Sequence, residues 1–409
     1  MRILMLCTKY PLESNDRYMT NELAGALVAA GHRVQVVVTD WNAPFGAPTI
    51  AVRSEDGVDA LVIAPRGISG FGRFFEKTTK WALSSLFARH EMRKALALEN
   101  VDLLVCFTPC VTVAAQLLWA MKRWKMRSML FVHDFFPYHH RSIGLVPRGP
   151  VFQVARRIEE YLIRKFQVIG CIWPDNIAYL RKHYRIRPGQ HAIWTPLWGE
   201  IAPPPPRSRD TTRTMHGLPL DCKILVFGGQ ITEGRGVEEM LAAATIARDA
   251  GSNLAFLFIG EGRLVDLVER HIASGGKNVI YRRRIPRAEY LSLISACDAG
   301  IVCTVTGVDS SSFPSKTIDY LRAGLPIVAA VEKASDYREF LRRWNIGISI
   351  PAGDAVALFQ AVTRVIDDHE LNANIARSAR TCLEEVFDVK PAVNRIMDEI
   401  DQTNRNRNE

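Results

Sequence analysis

Short apolar runs recur along this chain. Each is followed by a loop and then by a segment with helical spacing, and the series is broken once by prolines. Residues 2–7 read as a buried strand. Leu23, Leu27 and Val28 recur at helical spacing, Gly31-His32 closes that helix, and 34–39 form the next strand. Further strands are expected at 60–63, 102–107, 128–133 and 167–172, with helices at 111–124 and 151–165 between them. The stretch 202–210 holds four consecutive prolines and little apolar surface, so it reads as an extended connection. The same alternation then restarts, with strands at 223–227, 254–259, 278–281, 299–304 and 326–330. Helices are expected at 237–250, 263–274, 288–296, 337–344 and from 354 through 367. Strands alternating with helices specify parallel sheets covered on both faces. The expected organisation is an α/β domain over 1–201, a linker over 202–216, a second α/β domain over 217–385, and a helix with a polar tail over 386–409. Two such halves imply a cleft between them.

A chain of 409 residues is too long for one ordinary core, which agrees with two halves. The 52 basic residues exceed the 43 acidic ones, and a net charge of +9 favours anionic partners such as nucleotide phosphates or an anionic lipid surface. No nucleic-acid-binding signature accompanies that charge, so no nucleic-acid partner is expected. The eight cysteines lack metal-ligand spacing and read as buried reduced thiols of a cytoplasmic protein. Residues 1–7 are too short for a signal peptide, and no apolar run is long enough to span a membrane.

The segment Phe313-Pro314-Ser315-Lys316-Thr317-Ile318-Asp319-Tyr320-Leu321 follows a strand and enters a helix that closes at Gly324. A strand–loop–helix unit places a helix N-terminus at the C-terminal edge of a parallel sheet, where phosphorylated ligands bind. Lys316 offers a point charge for a phosphate, and Asp319 can accept hydrogen bonds from a ribose diol. Taken alone, the same residues also fit an ordinary αβ unit with a solvated Lys–Asp face.

With Gly324-Leu325-Pro326-Ile327-Val328-Ala329, this segment resembles the donor-binding segment of retaining GT-B glycosyltransferases of the family 4 type, in the branch acting on lipid-linked sugars. The resemblance implies two Rossmann-like domains facing a cleft. It implies that Pro314, Ser315, Lys316 and Asp319 meet the nucleotide sugar, with Asp319 where the family usually has Glu. The first carboxylate of the family's E-x7-E pair falls at Ser311 and is missing, and Asp309 is out of register.

Phe227-Gly228-Gly229-Gln230-Ile231-Thr232-Glu233-Gly234-Arg235-Gly236 resembles the family's first donor-domain loop, with Gln230 at a usual Arg position and Arg235 kept. Here Gly229, Gly234 and Gly236 let backbone amides approach a pyrophosphate, which Arg235 can pair with. Ile259-Gly260-Glu261-Gly262 resembles the strand-end G-x-G of the family, and Arg282-Arg283-Arg284 follows the strand near which the base lies, which makes Gly260 and Arg284 further donor-site candidates. The triple Arg equally reads as a solvated basic face. In the first half, His133-Asp134 ends a strand and resembles the turn that contacts the transferred sugar or the acceptor hydroxyl. Glu13 to Arg17 replace the family's Gly-Gly loop, with Arg17 as a candidate substitute.

The implied reaction is transfer from a nucleotide diphosphate sugar with retention, UDP being the default base and GDP open. His133, Asp134, Arg235 and Lys316 are the catalytic candidates, and neither metal nor cofactor is expected. Residues 70–95 mix aromatic and basic side chains on an amphipathic helix. They suit either core packing of Phe75, Leu83 and Phe87 or contact with the inner face of an anionic membrane carrying a lipid-linked glycan acceptor. Two alternatives use the same scaffold: a nucleotide-sugar 2-epimerase and a non-catalytic sugar-nucleotide binder.

Overall fold

The computed structural model describes residues 1–12, 18–67, 73–96, 100–142, 144, 146–147, 149–204, 207–307, 313–332 and 336–408, with the side chains of 73–78 and 403–408 excepted. Ser311, Asp309 and the 13–17 loop lie outside the described residues. The chain forms two compact units, Met1–Gly199 with Val389–Glu409, and Glu200–Asp388.

The first unit is built on eight strands: β1 (Arg2–Cys7), β2 (Arg33–Thr39), β3 (Ile50–Arg53), β4 (Asp59–Ile63), β5 (Leu103–Phe107), β6 (Arg127–Val132), β7 (Val168–Cys171) and β8 (His191–Trp194). Their order is β3-β4-β2-β1-β5-β6-β7-β8, parallel except for the β3–β4 pair. The second unit holds β9 (Lys223–Gln230), β10 (Leu254–Glu261), β11 (Val279–Arg282), β12 (Ala299–Cys303), β13 (Ile327–Val331) and β14 (Gly347–Pro351). These run parallel in the order β11-β10-β9-β12-β13-β14. Both units are Rossmann-like α/β sheets. The strands β1, β5, β12 and β13 are buried along almost their whole length, the mark of a parallel sheet covered on both faces.

The expected strands are present, and three more appear: β3, β8 and β14. β3 is exposed and lies at the sheet edge, and β8 and β14 are only partly buried edge strands, so none carries a strong apolar signature. The stretch expected to be a linker contains a helix, Arg209–Met215. Its anchor is Arg213, which is fully buried and donates to the carbonyls of Ala296, Pro219 and Cys222 and to Asp298. A buried guanidinium with its donors satisfied holds a polar segment that hydropathy alone reads as solvent-exposed. The C-terminal helix Val389–Asn408 packs on Met19–Ala29, and Asp401 pairs with Arg127 at 2.7 Å. Helical structure therefore continues into the polar tail, as far as Asn408.

In the helix Arg73–Leu96, Ser84, Ser85, Ala88, Met92 and Leu96 face inward, while Leu83 and Leu86 are exposed. Leu83 thus departs from the core-packing reading. The two buried serines are tied down: the Ser84 hydroxyl donates to the Arg66 carbonyl, and the Ser85 hydroxyl accepts from the Ala115 amide. Phe75 lies outside the described side chains.

Candidate functional site

The sheet of the second unit changes winding direction between β9 and β12, and the crevice at the C-terminal ends of these strands is where α/β sheets bind ligands. Most candidate donor-site residues lie around this edge. Gly229 and Gln230 end β9, Gly260 ends β10, and Gly234 to Gly236 form the turn into the helix Val237–Asp249. Gly236 has φ +59, and a Cβ there would stand 2.6 Å from the Cys303 side chain and 2.8 Å from the Thr304 carbonyl. The turn therefore rests directly on the end of β12, which only glycine permits.

Lys316 opens the short helix Lys316–Arg322. Its ammonium stands 3.4 Å above the ring of Phe227, and a Cβ on Gly229 would lie 4.0 Å from it. Burial lowers the Lys316 pKa well below the ordinary lysine value, and repulsion from nearby Arg235 lowers it further. Two cations held close together in a partly dry setting form a high-energy arrangement that a diphosphate would relieve.

Tyr320 fixes this helix to the sheet. Its fully buried hydroxyl accepts from the Gly228 amide at 3.2 Å and lies 3.0 and 3.1 Å from the carbonyls of Val226 and Ile301. One side chain thereby sets the height of Lys316 and Asp319 above β9 and β12. Asp319 is buried, and both of its oxygens accept hydrogen bonds from Arg287, at 2.8 and 2.6 Å. Each oxygen keeps further acceptor capacity for a ribose hydroxyl.

Not every sequence candidate sits in such a constellation. Gly260 is needed for packing: a Cβ there would fall 1.8 Å from the Gly229 carbonyl, so the ends of β9 and β10 approach through paired glycines. Of the three arginines after β11, Arg282 donates to the His216 carbonyl, Arg283 pairs with Glu261, and Arg284 is exposed. Pro314 is buried, and Ser315 is exposed and caps the helix without a side-chain hydrogen bond. Two residues of this edge were missed from sequence. Arg287 stands alone in a polar helix start, and Glu332 sits just past β13 with no motif around it.

In the first unit, His133 and Asp134 follow β6, and both backbone amides donate to the Thr108 hydroxyl. The imidazole lies among Phe107, Phe131 and Trp198, with ring centroids at 5.3, 6.1 and 6.3 Å. Burial pushes its pKa down to about 4, so it is neutral at physiological pH. Burial also pushes Asp134 up to about 6, against the opposing effect of hydrogen bonds from the Phe136 amide and Thr108. Asp134 Oδ1 is buried with no partner among the described residues. Glu159, unforeseen from sequence, is fully buried and accepts from the amides of Cys110 and Val111 at 2.6 and 2.9 Å.

Comparisons with known proteins agree with this architecture. The family model for glycosyl transferases group 1 matches residues 208–381, and that for Glycosyltransferase Family 4 matches residues 18–196. The probable glycosyltransferase WbjE of Pseudomonas aeruginosa is 24% identical over 58% of this chain and 60% of its own length. The "Putative colanic acid biosynthesis glycosyl transferase WcaI" of Escherichia coli (strain K12) is 23% identical over 90% of this chain and 92% of its own. The Anabaena protein HepE, solved in complex with UDP, superposes with a TM-score of 0.68 at 15% identity, covering 98% of this chain and all of its own (100%). The chain belongs to the GT-B glycosyltransferases of the family 4 type.

Proposed function

We propose that this protein transfers a sugar, with retention of anomeric configuration, from a UDP-sugar to a lipid-linked glycan acceptor during polysaccharide assembly. The observation that carries the reading is the convergence of Lys316, Arg235 and the Gly234–Gly236 turn at the edge of β9 and β12. Beside it stands the Asp319 carboxylate held by Arg287. Diphosphate and ribose are the two chemical groups these features suit. UDP is favoured over GDP because a neighbour of the same fold is solved with UDP.

As the bond from the sugar C1 to the diphosphate oxygen breaks, negative charge grows on that oxygen. Lys316 and Arg235 stabilise it. The acceptor hydroxyl attacks from the same face and delivers its proton to the departing phosphate. This assignment gives the charge stabilisation to side chains, with neither a metal nor a cofactor. Neutral His133 accepts a hydrogen bond from a sugar hydroxyl, and Asp134 orients the acceptor.

A lipid-linked acceptor fits the exposed face of the first unit. The helix Pro150–Ile163 exposes Val151, Val154, Ile158 and Tyr161, with Arg157 and Arg164 beside them. The helix Arg73–Leu96 exposes Leu83 and Leu86 together with Arg89, Arg93 and Lys94. Apolar side chains with a basic rim suit an anionic bilayer surface. No described helix is long and apolar enough to cross a membrane.

The test is a thermal-shift screen with UDP, GDP, ADP and dTDP, followed by transfer assays with the matching sugar nucleotides. The anomeric configuration of the product is then read by NMR. Stabilisation by UDP and an axial-to-axial (or equatorial-to-equatorial) outcome support the reading; an inverted product overturns the retaining mechanism.

A further inference from the structure

Glu332 follows β13 at the same edge of the sheet and is only 6% exposed. The Thr304 hydroxyl, at the end of β12, donates to its Oε2, and the Glu332 amide donates to Thr304 Oγ1 at 3.1 Å. The Thr304 carbonyl is the atom on which Gly236 rests. The carboxylate therefore stands one residue away from the Gly234–Gly236 turn, and its charge is felt by Arg235. Its other oxygen, Oε1, is buried with no hydrogen-bond partner among the described residues. A buried carboxylate oxygen without a donor is costly, and the cost is removed when a ligand brings one. A phosphate oxygen cannot serve, because it is an acceptor of like charge. A sugar hydroxyl can, being a neutral donor.

We propose that Glu332 binds a hydroxyl of the sugar that is being transferred, so that the donor is read at two places: the nucleotide by Asp319, Arg235 and Lys316, and the sugar by Glu332. Thr304 holds the carboxylate in the orientation that leaves Oε1 toward the sugar. This rests on the donor-site reading above, since the sugar is placed by its diphosphate.

The experiment measures affinities of wild type, Glu332→Gln and Thr304→Val by calorimetry for UDP, GDP, UDP-glucose, UDP-N-acetylglucosamine and GDP-mannose. In Glu332→Gln the free nucleotide keeps its affinity within twofold, and the intact donor that wild type prefers loses fivefold or more. Thr304→Val, which releases the carboxylate, shifts the donor-to-nucleotide ratio in the same direction and carries the test if Glu332→Gln does not fold. An unchanged ratio in the folded variants, or equal losses for nucleotide and donor, overturns the sugar contact while the donor site stands. Failure of wild type to bind any of the nucleotides or donors overturns the donor-site reading and this proposal with it.

Discussion

Arg287 holds Asp319 by two parallel hydrogen bonds, Nη1 to Oδ2 at 2.8 Å and Nη2 to Oδ1 at 2.6 Å. The helix Arg287–Ile294 thereby orients a carboxylate on the separate helix Lys316–Arg322. An ammonium cannot reproduce that planar fork. Arg287→Lys is expected to weaken nucleotide binding about tenfold, about 1.4 kcal/mol, with little change in melting temperature. Titration of UDP by calorimetry checks it, and an unchanged affinity would remove Asp319 from the ribose site.

Lys316→Ala is expected to lower the transfer rate by about 10²–10³-fold, the usual effect of removing one group that stabilises developing charge. The lysine has a lowered pKa in the free protein, and a bound diphosphate raises it again. Binding should therefore take up protons at pH values between the lowered value and the value in the complex. Calorimetry in buffers of different ionisation enthalpy reads the uptake, which Lys316→Ala should lack.

The Tyr320 hydroxyl is the partner of a buried amide and lies beside two buried carbonyls. Tyr320→Phe leaves the Gly228 amide unsatisfied and should destabilise the protein by about 1–3 kcal/mol. Urea denaturation followed by circular dichroism measures it. Because the same hydroxyl positions Lys316, nucleotide affinity should fall as well.

Asp134 and His133 respond oppositely to pH. The folded pKa of Asp134 is raised from 3.8 to about 6, so its contribution to stability is complete below the unfolded value and is lost as pH rises through about 6. Wild type should gain on Asp134→Asn by up to about 3 kcal/mol between pH 7 and pH 4. The folded pKa of His133 is lowered from 6.5 to about 4, so wild type should lose stability relative to His133→Asn as pH falls through that window. Urea midpoints at pH 4.5, 5.5 and 7 separate the two signs.

Val154 and Ile158 are 54% and 42% exposed, so aspartate at either should change stability by no more than about 0.5 kcal/mol. Co-sedimentation with vesicles containing phosphatidylglycerol is expected to fall in Val154→Asp/Ile158→Asp. Equal binding by wild type and variant would exclude this helix as the membrane face.

The alternation of strand and helix, the two α/β series and the glycine-rich, Lys316-bearing loops are legible in the order of the residues. Those features are local: apolar run length, helical spacing and residues such as Gly and Pro that act on their own backbone. The sequence also carried a misleading signal at 209–215, where polarity suggested a linker and the buried Arg213 makes a packed helix. Which polar groups meet depends on the fold. Asp319 and Arg287 lie 32 residues apart, Thr304 and Glu332 lie 28 apart, and Tyr320 reaches Val226 across 94. None of these pairs has a spacing that a periodic pattern records, because each is set by the order in which parallel strands are laid into the sheet. Strand order is fixed by packing across the whole unit, so Gly229, Thr304 and Glu332 reach one edge of the sheet only once the chain has folded.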